Sequence, residues 1–267
     1  MKDLILLKIG GSVCTEKSRS VFKVRASVVK RIAGEILDAR KSRDFRLIVV
    51  NGAGPFGHVN VKQYDINDGL KTERDFEGYA KTICDCSYLN WKVADILRES
   101  GLHAFPYPTS SVVVQNKKRI SSFNADVIRR GWGSDESLVP VMNGTMVPDL
   151  SVGGSVISGD TVLWYLTKTL RPKLLVFATD VDGIFTGDPT LDRKAKLLER
   201  ITKTNFGEVK GWISGSSGVD VTGGMLGKVE KMLDLDVECV VVNGNFPGRV
   251  RKALLGEEVT RTVVTGR

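Results

Sequence analysis

Leu4-Ile5-Leu6-Leu7-Lys8-Ile9-Gly10-Gly11-Ser12 opens the chain with an apolar run that ends in a lysine and a pair of glycines. An Ile/Leu run of this length reads as a strand buried on both faces of a parallel sheet. The glycines at its end let the backbone approach a ligand closely. Working outward, similar runs recur at Leu47–Asn51, Leu138–Met142, Leu174–Thr179 and Val237–Asn243. Amphipathic segments of helical spacing separate them: Val24–Arg43, Glu73–Ser100 (broken at most once, closed by Gly101), Thr161–Leu170 and Val221–Leu235. Strands alternating with helices predict an α/β fold, a three-layer αβα sandwich around a central, mainly parallel sheet with right-handed crossovers. The middle departs from this pattern. Val112–Gln115 and Ile120–Ser122 flank Asn116–Arg119, and Met146–Pro148 and Ser155–Ile157 flank Gly153-Gly154, which reads as two hairpins. The chain lacks a Pro/Gly/Ser-rich linker and divides softly near Leu170-Arg171-Pro172 into lobes 1–170 and 171–267, expected to share one continuous sheet.

Composition narrows the classes of function. The 267 residues are ordinary globular in make-up, which excludes a disordered or collagen-like chain. Apolar runs all fall short of the roughly 20 residues that span a bilayer. The N-terminal run is too short and too charged for a signal peptide, so a cytoplasmic location is expected. Cys14, Cys84, Cys86 and Cys239 form no paired CxxC knuckles, against a structural zinc site or a disulfide framework. The net charge of +8 suits nucleic acid, an anionic membrane or phosphorylated small molecules. Lys117 to Arg119, Arg129-Arg130 and Arg193 to Lys196 are local clusters without interleaved aromatics, which disfavours a nucleic-acid groove. A solvated basic surface remains an alternative for these clusters.

Four glycine-containing segments follow predicted strands: Lys8–Ser12, Asn51–His58, Ser158-Gly159-Asp160 and Thr222–Lys228. Successive N–H groups in such loops cradle anions, and a following helix N-terminus adds its dipole. Ligands of open α/β sheets bind at the carboxyl ends of the strands. The loops match neither a Walker P-loop, nor a G-x-G-x-x-G dinucleotide fingerprint with its acid, nor a hydrolase elbow.

KIGGS, GAGPFGH, SGD, TDVDGIFTGDP at Thr179–Pro189, DVTGGMLGK at Asp220–Lys228 and VNGNFPGRV resemble, over essentially the whole chain, the amino acid kinase superfamily. Within it, the G-x-G-x-F-G-H loop and the Thr15–Ser18 segment are similar to those of the archaeal isopentenyl phosphate kinases; fosfomycin-type kinases share the FGH loop. The chain departs from the family's His-Gly-Gly-Gly with Asn51-Gly52-Ala53-Gly54, and the Ala53 methyl requires a negative φ there. The resemblance implies ATP-dependent phosphorylation of isopentenyl phosphate in isoprenoid biosynthesis. Alternatives are a kinase of fosfomycin or another phosphate or phosphonate acceptor, or a binding or storage protein on the same fold. It also implies ATP with Mg²⁺ held mainly by phosphates and no protein metal ligand, and a homodimer. Lys8, Lys17, His58, Asp160 and Lys228 would be catalytic: Lys8 and Lys228 on the β- and γ-phosphates, Lys17 on the transferring group, Asp160 orienting the lysines. ATP would lie on Lys8, Gly10, Gly11, Ser12, Gly54, Asp180, Gly183, Gly224 and Lys228. The acceptor phosphate would meet Ala53, Gly54, Gly57, His58 and Gly159. Phe76, Tyr79 and Ile83, with Leu89, share a helical stripe that would line a cavity for the prenyl chain, ordinary core packing being the alternative. His58 could equally be a loop histidine bonded to backbone, each lysine a surface charge, and Asn243-Gly244-Asn245 a simple turn. His103 has no motif around it and reads as structural.

Overall fold

The computed structural model describes residues 2–16, 22–189, 191–192, 194–214 and 224–266. In chain order the elements are β1 (Leu4–Ile9), α1 (Gly11–Cys14), α2 (Ala26–Ser42), β2 (Arg46–Asn51), α3 (Pro55–Tyr64), α4 (Glu73–Glu99) and β3 (Ala104–Pro106). Then come β4 (Val113–Asn116), β5 (Arg119–Phe123), α5 (Asp126–Ser134), β6 (Val139–Asn143), β7 (Thr145–Asp149), β8 (Gly153–Ile157) and α6 (Gly159–Leu170). The chain ends with β9 (Leu174–Thr179), β10 (Arg200–Thr202), α7 (Phe206–Ser214), α8 (Gly224–Leu233), β11 (Glu238–Asn243), α9 (Arg249–Leu255) and β12 (Thr262–Thr265).

An eight-stranded sheet runs β10-β12-β11-β9-β1-β2-β6-β3. All its pairings are parallel except β11 with β12. The five apolar runs form its five central strands. Each is covered on both faces, which is why the runs are nearly continuous rather than alternating. Ile5, Leu7 and Ile9 pack into a core with α2, α4 and α9, whereas Leu4 and Leu6 pack into the opposite core with α6 and α8. This is the expected three-layer sandwich. The sheet takes strands from both sides of Leu170.

A second sheet, β5-β4-β7-β8, holds the two expected hairpins. Lys117 and Lys118 form the two-residue turn between β4 and β5, with φ of 50° and 60°.

The helix bounds differ from the periodicity in two instructive places. The second helix begins at Ala26 rather than Val24, because Val24 bridges Thr15 and the Arg25 N–H donates to the Cys14 carbonyl (2.8 Å). The helix after β8 begins at Gly159 rather than Thr161: the Ser158 hydroxyl accepts from the Thr161 N–H (3.0 Å), which puts Asp160 in the first turn. The long α4 is unbroken. A Thr72/Asp75 capping box starts it, and Gly101 follows its end at φ 106°. Among the described residues no helix is long and apolar enough to cross a membrane.

Candidate active site

At the carboxyl edge of the sheet, four of the central strand pairings are each continued by a glycine. Gly10 N–H donates to Ala178 (2.8 Å), Gly52 to Ile9 (2.9 Å), Gly144 to Asn51 (3.0 Å) and Gly244 to Thr179 (2.7 Å), in every case to a backbone carbonyl. The loops leaving these strands then touch backbone to backbone. A Cβ on Gly52 would lie 2.5 Å from the Gly11 nitrogen, one on Gly11 2.6 Å from the Gly54 nitrogen, and one on Gly144 2.9 Å from the Gly159 nitrogen. Side chains are excluded there by packing, not by turn conformation. Gly54 is different: its φ of 52° and ψ of −144° are accessible only to glycine. It starts α3, with Pro55 at the first helical position. The first-turn N–H groups of α1, α3 and α6 have no acceptor within their own helices. Together the loops form a concave, donor-rich floor.

The charged groups stand over that floor. Lys8, one residue before the end of β1, points to the α6 face because side chains alternate along a strand. Its Nζ donates to Asp160 Oδ1 at 2.5 Å, and Lys228 Nζ, in the first turns of α8, lies 3.7 Å from Asp160 Oδ2. Asp160 is only 8% exposed. Burial alone would raise its pKa, but the charges and hydrogen bonds of Lys8 and Lys228 hold it below the ordinary carboxylate range. One carboxylate thus serves two ammonium groups and leaves a net positive field for an anionic ligand. A cleft of about 310 Å³ opens beside it, lined among others by Ser158, Asp160, Thr161, Lys228, Lys231 and Lys118.

His58 lies in the first turn of α3, exposed, with its N–H donating to the Gly54 carbonyl (3.1 Å). Ala53 does not have a positive φ, so its methyl is accommodated. That methyl occupies the space above Gly57, where a Cβ would lie 2.7 Å from it. Ser12, in α1, accepts from Arg25 through its carbonyl (3.2 Å). At the end of β9, Asp180 is half-buried. Asp182 accepts from Arg249 (2.6 Å) and from Asn243 Nδ2 (3.0 Å). Gly183 packs against the Thr262 hydroxyl, which would sit 2.4 Å from a Cβ. Gly224, at φ 62°, starts α8, and a Cβ there would meet none of the described residues within 4 Å. Lys17, Thr222, Gly223 and Arg193 lie outside the described residues.

On α4 the stripe divides. Phe76 is 55% exposed, Tyr79 and Ile83 are half-buried, and Leu89 is fully buried in the core, so Leu89 lines no open cavity. The Tyr79 ring lies against the backbone of Gly154, where a Cβ would be 2.7 Å from its Cε2. His103 bonds Ser137 Oγ (2.6 Å) far from these loops. Cys14, Cys86 and Cys239 are buried, and that burial pushes each thiol up to about 12. Among the described residues no group of three His, Cys, Asp or Glu side chains is placed to hold a metal ion.

Sequence reading missed the polar residues beneath the floor. Buried Asn90 donates to Asn51 Oδ1 (3.1 Å) and to the Val141 carbonyl (2.9 Å). Buried Asn143 receives the Thr109 N–H (3.2 Å) and donates to the Cys86 carbonyl (3.4 Å). A signal was present: Asn51-Gly52, Asn143-Gly144 and Asn243-Gly244 each close a strand. Asn243-Gly244-Asn245 is accordingly more than a turn, since Arg25 donates to Asn245 Oδ1 (2.7 Å) and Arg31 to the Gly244 carbonyl. Lys118, read only as surface, and Lys231 also line the cleft.

A mainly parallel αβα sandwich with interlocked glycine loops and a lysine–aspartate–lysine array defines a phosphate-handling α/β protein. The model of the amino acid kinase family matches residues 3–243, and the chain belongs to that family. It is 36% identical to the isopentenyl phosphate kinase of Methanothermobacter thermautotrophicus, over 99% of this chain and 100% of that protein. It is 34% identical to that of Methanocaldococcus jannaschii, over 95% and 96%. A solved structure of an isopentenyl phosphate kinase superimposes with a TM-score of 0.81 at 34% identity, covering 97% of this chain and 99% of the other. A carbamate kinase from Giardia lamblia shares the fold at TM-score 0.69 and 14% identity.

Proposed function

We propose that this protein is an ATP-dependent phosphotransferase that converts isopentenyl phosphate to isopentenyl diphosphate. The observation that carries the reading is the buried Asp160 held between Lys8 and Lys228 beside the glycine floor, with His58 exposed in the first turn of α3. Full-length similarity to isopentenyl phosphate kinases supports the acceptor.

Phosphoryl transfer is chiefly positioning and charge neutralisation. A phosphate monoester has a second pKa of about 6, so the acceptor is largely dianionic at neutral pH and needs no general base. What it needs is cationic charge to approach an already anionic donor. Lys8 and Lys228 meet the β- and γ-phosphates, each oriented by one oxygen of Asp160 through a charge-assisted contact. Gly10, Gly11, Ser12 and Gly224 supply backbone donors to the nucleotide, with Asp180 and Gly183 on its nucleoside side. His58 and the N–H groups around Ala53, Gly54, Gly57 and Gly159 receive the acceptor phosphate. Lys17 is assigned to the transferring group. Phe76, Tyr79 and Ile83, left partly open on α4, face the prenyl chain. Mg²⁺ entering with ATP would neutralise the phosphate chain and would be held mainly by phosphate oxygens, since Asp160 is committed to lysines and Asp182 to Arg249 and Asn243.

In this reading residues 1–170 hold the acceptor and share the nucleotide's phosphates, and 171–267 supply the other nucleotide contacts, in a cytoplasmic homodimer. Tyr88 and Trp91, each about half exposed and neighbours on α4 (6.4 Å between rings), support a contact between copies, which light scattering would test.

An ATP-coupled assay over isopentenyl phosphate, dimethylallyl phosphate, fosfomycin, glutamate and UMP tests the acceptor. Turnover of fosfomycin or UMP without turnover of prenyl phosphates would reject it. His58→Ala should abolish activity on phosphate acceptors while leaving ATP affinity nearly intact. Equal loss of both would make the histidine structural.

A further inference from the structure

The turn joining β4 to β5 is built unusually firmly for a surface loop. Two-residue hairpin turns with positive φ at both positions favour Asn-Gly, yet here both are lysines. Side chains in the left-handed region are sterically disfavoured, and such residues persist only where the surroundings fix them. The fixing group is Asp149, 3% exposed. Its carboxylate accepts from the N–H groups of Lys117 (3.1 Å), Lys118 (2.7 Å) and Ser151 (2.9 Å) and from the hydroxyls of Ser151 and Ser155 (both 2.8 Å).

That turn delivers Lys118 into the cleft that also holds Asp160, Lys228 and Lys231. Asp160 already serves Lys8. Lys231 stands one turn beyond Lys228 on α8, and among the described residues it has no carboxylate partner. Lys118 Nζ rests 2.9 Å from Asp68 Oδ1, an exposed carboxylate at the cleft rim, and exposed pairs of this kind exchange readily for a stronger anion. Three lysines from two separate elements therefore line one volume. Lys228 and Lys231, as i,i+3 neighbours, are about 5–6 Å apart at their Cβ atoms. A single phosphate does not reach across such an arrangement, whereas a chain of phosphates does.

We propose that Lys118 is a phosphate-binding residue for the polyphosphate chain of the donor nucleotide, closing with Lys231 the cleft beside Lys228 and Asp160. This rests on reading the site as an ATP-dependent phosphotransferase, and it adds a contact from the hairpin to the nucleotide-side helix. Asp68 is the resting partner that Lys118 leaves when the donor enters.

The test titrates ATP, and inorganic tripolyphosphate as a nucleoside-free probe, into the full-length protein by calorimetry at low and high salt, without acceptor. Lys118→Asn keeps a residue that tolerates the left-handed turn, and Lys231→Gln removes the second charge. Each should weaken both ligands at least about threefold and flatten the salt dependence, as loss of one charge-assisted contact requires. In turnover, KM for ATP should rise by a similar factor, with kcat and acceptor KM little changed. Lys117→Asn, at the same turn but off the cleft, should bind like the wild type, and Asp68→Asn should bind as tightly or more tightly. Either cleft variant binding within about threefold of the wild type overturns that lysine's role. Lys117→Asn weakening binding as much as Lys118→Asn, or a loss with Asp68→Asn, would show that only the hairpin's integrity mattered. Because binding is read without acceptor, failure of isopentenyl phosphate as substrate leaves this result interpretable.

Discussion

Gly52→Ala should cost activity far out of proportion to one methyl group. The added Cβ would meet Gly11 N at 2.5 Å, Gly11 Cα at 3.1 Å and the Gly10 carbonyl carbon at 3.3 Å. All three are backbone atoms, so no side chain can rotate away. Ordinary contact begins near 3.4 Å, so the loops after β1 and β2 must part by about 0.9 Å. The Gly52 N–H is also bonded to Ile9 (2.9 Å), which resists that movement. Overpacking of this kind costs about 1–3 kcal/mol of stability. The same displacement moves the Gly10–Ser12 donors relative to Lys8, and a misplacement of about 1 Å costs roughly 100-fold in rate. Steady-state kcat, ATP KM and thermal unfolding of the one variant measure both effects. Gly34→Ala is the control: it lies within α2 with no atom within 4 Å of the new Cβ, and should gain about 0.5–1 kcal/mol. A Gly52→Ala protein with kcat within about threefold of the wild type and an unshifted melting temperature would refute the backbone-contact reasoning.

Asp160→Asn should lower kcat by about 100-fold, the scale of losing one preorganised electrostatic contact, while ATP affinity holds or improves because a negative charge is gone. A fall in ATP affinity with unchanged kcat would instead make Asp160 a ligand-binding residue. Tyr79→Ala and Ile83→Ala should raise the use of longer prenyl phosphates relative to isopentenyl phosphate; unchanged chain-length preference in both would return the stripe to core packing. Asp149→Asn should destabilise the protein by about 2–4 kcal/mol at neutral pH, as hydrogen bonds to a buried charge are lost. Burial raises the Asp149 pKa, but the N–H groups of Ser151 and Lys118 and the Ser151 and Ser155 hydroxyls hold it well below the usual carboxylate range. Its stabilisation is therefore present above the unfolded-state value of about 3.9 and fades as pH falls below it, so the wild-type advantage in urea titrations should shrink in acid. A gap that stays constant with pH would assign the effect to shape rather than charge.

The sequence by itself determined the layers of this protein. Runs such as Leu4–Ile9 and Leu174–Thr179 are apolar on both faces, which only a parallel sheet covered on both sides explains. They became the five central strands, and the unread β3, β10 and β12, three or four residues each, lie in its outer parts. Strands that short have no room for a pattern. Glycines at strand exits marked where the loops interlock backbone to backbone, because close approach is a property of the residue type. Other facts needed the tertiary structure. That Asp160 stands between Lys8 and Lys228 depends on residues up to 220 positions apart meeting at one sheet edge. Leu89, which looked like cavity lining, is core. Lys118 carried no local sign of a role. Only the fold of the hairpin, fixed by a buried carboxylate from a neighbouring strand, turns it from surface charge into cleft wall. Pattern along the chain reports what each residue can do, whereas long-range packing decides which of them act on the same ligand.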